Sequence, residues 1–160
     1  MAPHLRTVRL ASFQFDPPEP LHHQLSLTMQ LHLNIVGLLL VALALLHVVF
    51  PRYFRWKETT ASLEPVTREI LYVHTFFIAL TVLLMGLVCL TSSELLLTTP
   101  LGQRICFGLA TFWTIRLFFQ FFGYSKELWK GKTFETIMHI AFSFLWLYLS
   151  AVFWCAFLKA

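Results

Sequence analysis

The chain has 160 residues, of which 58% are hydrophobic and only 12% charged, with a mean hydropathy of +0.70. Soluble domains carry about a quarter charged residues, so a soluble core of this size could not enclose the apolar excess. The net charge of +4 sits in short stretches between apolar runs rather than on a basic face, which excludes a nucleic-acid partner and marks membrane topology instead.

Residues 1–28 are the polar part of the chain. Asp16-Pro17-Pro18-Glu19-Pro20 opposes a regular helix, His22-His23 follows, and the segment is too polar for the apolar region of a signal peptide. The expectation is a disordered tail, and Met29 stands beside Met1 as a candidate translation start because the coherent pattern begins there.

Four apolar stretches are then long enough to cross a bilayer, whose hydrocarbon core takes about 20 helical residues. They run from Met29 to Phe50, Ile70 to Leu90, Ile105 to Tyr124 and Phe134 to Leu158, with Pro51 a place for the first to end or kink. Strands are excluded because an open sheet in lipid leaves its backbone unpaired. Short connections favour antiparallel neighbours, which gives an all-α, integral membrane four-helix bundle of up-down-up-down topology.

The loops set the orientation. Arg52, Arg55, Lys57 and Arg68 lie in one loop and Lys126, Lys130 and Lys132 in another. The opposite side holds Arg6, Arg9, Arg104 and Lys159. The positive-inside rule places both basic loops in the cytoplasm and both termini outside, in an inner or plasma membrane of bacterial type. Trp56, Trp129, Tyr53 and Tyr124 match an aromatic belt on that face.

Ionisable residues inside spans are costly and mark function. His47 lies near the cytoplasmic end of the first span and His74 about one turn inside the second. Arg116 and Gln120 share a face of the third at i and i+4, and Glu135 and His139 do so on the fourth. All four helices therefore bring polar groups to a similar depth.

Three chemistries fit that set. Two of His47, His74 and His139 would ligate a haem b between the helices, with Arg116 pairing a propionate and Gln120 beside it. The three histidines with Glu135 would bind a non-haem iron, zinc or copper ion. With no metal, the site would hold an anionic or quinone-like ligand or relay protons, with Arg116 as donor. Each residue also has a purely structural reading: a hydrogen-bonded histidine, a carboxylate favoured in the first turn of a helix, a snorkelling arginine, a glutamine joining helices.

The layout is similar to that of small four-helix cytochrome b membrane subunits, with histidines of different helices at one depth. That resemblance is one of architecture and implies haem binding and electron transfer. The alternatives are a structural or assembly subunit of a larger membrane complex, or a homo-oligomer, without cofactor, and a small transporter or proton pathway.

On the other side, His32 with scattered cysteines is a weaker candidate for copper or zinc. Cys89, Cys106 and Cys155 read first as small packing residues and second as a disulfide pair. Gly108 and Ala110 are candidates for close helix approach. Motifs of nucleotide binding and hydrolytic catalysis are absent, and the loops are too short for a soluble-substrate pocket. A stand-alone enzyme is not expected.

Overall fold

The computed structural model describes residues 19–125 and 131–159, with side chains from His23 onward. Most of the polar tail, including Arg6 and Arg9, and the loop residues Lys126, Trp129 and Lys130 lie outside the described residues. The elements are α1 (Glu19–Tyr53), α2 (Trp56–Thr59), α3 (Pro65–Thr91), α4 (Ser93–Thr98), α5 (Pro100–Phe122) and α6 (Thr133–Lys159), with no strand among the described residues.

The fold is an all-α four-helix membrane bundle. Four of its helices are long and apolar enough to cross a membrane: α1 from His23, α3, α5 and α6. At 1.5 Å per residue the 27 residues of α3 span roughly 40 Å, more than a hydrocarbon core of about 30 Å. The first helix begins at Glu19, ahead of Met29, and continues through Pro51 to Tyr53. Pro51 has no N–H to donate to the His47 carbonyl, so the ladder is interrupted there without ending the helix. The turn that follows is made by Arg55, in the left-handed region at φ 48°.

Packing is pairwise. α1 lies along α3 and α5 along α6, while contact between the two hairpins is sparse and runs mainly from α1 to α4 and α6. In α1 the buried stripe is Met29, Leu33, Val36, Leu40, Leu43 and Ala44, a helical spacing of three and four. Gly37 and Gly86 let α1 and α3 approach. A Cβ on Gly37 would lie 2.6 Å from Leu90 Cγ and 2.9 Å from the Gly86 oxygen, and one on Gly86 would lie 2.9 Å from the Gly37 oxygen. Gly108 meets nothing within 4 Å, so of the two small residues expected to permit close approach only Ala110 is buried. Gly37 and Gly86 belong to different spans and form no G-x-x-x-G string, so spacing along the chain does not reveal them.

The α4–α5 corner is built by local chemistry. Thr99 caps α5 by accepting from the Gly102 N–H at 3.0 Å, and Pro100 occupies the first turn, where its missing donor costs nothing. A side chain at Gly102 would press on the Leu95 and Leu96 backbone. All three cysteines are free; Cys89 and Cys106 are buried, as packing residues are, whereas Cys155 is exposed and has no such role.

A larger residue at the reciprocal glycine contact is expected to separate α1 from α3. Gly86→Leu should lower unfolding free energy by about 1–3 kcal/mol, whereas Gly108→Leu should stay within about 0.5 kcal/mol. Equilibrium unfolding of the two variants in mixed micelles checks this, and equal losses would contradict the packing described.

Candidate functional site

Gln120 is 4% exposed and lies between α5 and α6. Its carbonyl oxygen accepts from Trp146 Nε1 at 3.1 Å and from the Arg116 guanidinium at 3.2 Å. Both of those groups can only donate, so the amide has one admissible orientation. Its NH2 therefore faces His139, donating to Nδ1 at 2.8 Å and, more weakly, to the His139 carbonyl at 3.4 Å. A ring nitrogen that accepts is unprotonated, so the neutral His139 ring carries its proton on Nε2. Ser143 donates to the same His139 carbonyl at 2.7 Å.

An aromatic stack backs this group. The Trp146 indole lies nearly parallel to Trp113, with centroids 5.2 Å apart, and to Phe142, at 5.5 Å. Arg116 places its guanidinium 4.7 Å from the Trp146 ring centroid and donates to the Tyr124 hydroxyl at 3.4 Å. A half-buried arginine is thus held by a cation–π contact and neutral acceptors; among the described residues it has no ion pair. Trp113 Nε1 is buried without a hydrogen-bond partner.

Beside this cluster a cleft of about 530 Å³ separates α1 from the α5–α6 hairpin. Its α1 wall is apolar and aromatic: Leu46, Val49, Phe50, Tyr53 and Phe54. The facing wall carries Gln120, Tyr124, Phe134, Glu135, Met138, His139 and Phe142. Its volume falls in the range of small-molecule sites, roughly 300–1,000 Å³, and it has their character, mostly apolar with a few convergent polar groups.

The structure therefore brings together part of the set expected from the sequence. Arg116 with Gln120, and Glu135 with His139, share faces, and Gln120 joins the two pairs. His47 and His74 do not join them. His47 is half-buried on α1, with Nδ1 2.8 Å from the Leu43 carbonyl and its ring against Phe50, and it does not line the cleft. His74 is exposed on α3, with Nδ1 3.1 Å from the Ile70 carbonyl.

The reason is rotational. The buried positions of α3 are Val82, Gly86 and Cys89, and one helical repeat back from Val82 leads to Thr75. His74 lies about 100° away from that line, so it shares a depth with His139 but not a side of the bundle. No group of three or more metal-ligating side chains forms among the described residues. Of the three histidines considered as haem ligands, only His139 lines the cleft.

Residues outside the polar set expected from the sequence also join helices, Trp146 at this site and Tyr148 in the other half of the bundle. Trp146 is seven positions after His139 and hence on its face, and a buried indole N–H needs an acceptor, so a signal is present in the chain. The Tyr148 hydroxyl lies 2.9 Å from His32 Nδ1 and links α1 to α6, which gives His32 a neighbouring helix as its partner. No protein family, curated protein or solved structure matches the chain at a significant level.

Replacing Gln120 leaves Trp146 Nε1, Arg116 and His139 without their shared partner. Gln120→Leu should cost about 1–3 kcal/mol, above the roughly 0.6 kcal/mol of an average interhelical hydrogen bond in a membrane. Gln103→Leu, which removes one 3.3 Å bond to the Phe157 carbonyl, should cost less. Unfolding titrations followed by tryptophan fluorescence distinguish the two, and equal costs would deny Gln120 its central place.

Proposed function

We propose that this membrane protein binds a small, largely apolar molecule that reaches it through the bilayer, in the cleft between α1 and the α5–α6 hairpin. The observation that carries this reading is the cleft itself, apolar and aromatic on both walls, with His139 oriented at one of them by Gln120. A ligand with an apolar body and one hydrogen-bonding group suits such a lining. Binding for transport and binding as a fixed component are both compatible with it.

The test is photolabelling in lipid nanodiscs with a short-chain quinone bearing a diazirine. Cross-links should concentrate on Phe50, Met138 and Phe142. Val49→Trp, which fills the cleft, should reduce them about fivefold or more, the equivalent of roughly 1 kcal/mol of overpacking. Labelling spread evenly over the exposed phenylalanines and indifferent to Val49→Trp would overturn the proposal.

Haem b is a second occupant of the same space, with His139 as its ligand in the chain and electron transfer as its use. An optical spectrum before and after dithionite separates the two readings. The small-ligand reading expects no Soret band. A band that shifts on reduction and is lost in His139→Ala would assign the cleft to haem.

An assembly role rests on a different observation, the exposed imidazole of His74 on α3. A polar side chain facing lipid at that depth is costly, and a second membrane subunit or a second copy of the chain would relieve it. By the positive-inside rule, the loop bearing Arg52, Arg55 and Lys57 faces the cytoplasm and the α4 corner the other side.

A further inference from the structure

From the charge of the cleft walls we infer that its ligand is a lipophilic organic cation, an inference that rests on the cleft being a binding site. Among the described residues the lining has one carboxylate, Glu135, and no lysine or arginine; its imidazole, His139, accepts at Nδ1 from Gln120. Glu135 is exposed, lies in the first turn of α6, where negative charge is favoured, and makes no ion pair among the described residues. Arg116, which a ligand anion would need, is not part of this lining; it is held against Trp146, Gln120 and Tyr124.

The same lining carries the aromatic side chains of Phe50, Tyr53, Phe54, Tyr124, Phe134 and Phe142. Aromatic faces attract a cation within about 6 Å, the more strongly where water is excluded. A quaternary ammonium, an aromatic amine or a phosphonium spreads its charge over a large apolar body. It therefore enters an apolar cleft at far less desolvation cost than a compact ion. A neutral quinone would leave Glu135 unused, and an anion would be repelled by it. The cleft thus offers an organic cation three things: volume, aromatic faces and one counter-charge at its wall.

Tetraphenylphosphonium and tetraphenylborate share size and shape and differ in the sign of their charge. Their binding to the full chain in nanodiscs, measured by equilibrium dialysis against empty nanodiscs, tests the inference. The phosphonium should bind saturably and the borate should not. Glu135→Gln should weaken the phosphonium about tenfold or more, and Glu135→Asp should preserve most of the affinity. The tryptophan emission of both variants should match that of the parent chain, so that loss of fold is not mistaken for loss of the counter-charge.

Saturable binding of the borate at equal or greater affinity would overturn the inference, as would phosphonium binding indifferent to Glu135→Gln. If neither ion binds saturably while the diazirine quinone still labels Phe50 and Met138, the cation assignment fails and the cleft reading stands. If the quinone label is also dispersed, the cleft reading fails with it.

Discussion

A carboxamide buried in a membrane helix has to satisfy both its ends inside the protein, because lipid offers neither donor nor acceptor. In this bundle that requirement falls on Gln120. Its oxygen faces two groups that can only donate, Trp146 Nε1 and the Arg116 guanidinium, which leaves its NH2 for His139. One amide therefore ties α5 to α6 at this depth, holds Arg116 on the indole and fixes the orientation and tautomer of the imidazole at the cleft wall.

The second constraint is the close crossing of α1 and α3. With Gly37 and Gly86 in mutual backbone contact, α1 packs closely on α3, while Leu31, Leu38 and Leu45, opposite its buried stripe, remain exposed. His32 reaches Tyr148 of α6 in the half of α1 away from the basic loop. Toward that loop, α1 and α6 are separated by the cleft. The two hairpins are each well packed and only lightly joined. Such an arrangement leaves a wedge-shaped space, and the aromatic side chains of Phe50, Tyr53, Phe134 and Phe142 line it without filling it.

Apolar length alone makes the four helices legible in the sequence, and the i, i+4 pairs on α5 and α6 place Arg116 near Gln120 and Glu135 near His139. The depth of each histidine is legible in the same way. The direction in which each points is not. His47 and His139 lie on helices whose rotation is fixed by different partners, Gly86 of α3 for the one and the Gln120 face of α5 for the other. His74 follows the rotation of α3 and faces outward. Equal depth on four helices is a one-dimensional property, whereas a ligand set for a metal or haem needs a common direction as well. The hydrogen bond of Trp146 follows from the needs of a buried indole. The pairing of His32 with Tyr148 does not follow from either residue, since it depends on which helices touch.

The orientation of His139 by Gln120 is the feature on which the site depends most. Nitrogen-15 NMR of the chain labelled at histidine, assigned through His139→Ala, reads it directly. The expected spectrum is that of a neutral ring with Nδ1 as the unprotonated, hydrogen-bonded nitrogen and the proton on Nε2, and Gln120→Leu should abolish that signature. A His139 ring protonated at Nδ1, or one unmoved by Gln120→Leu, would contradict it.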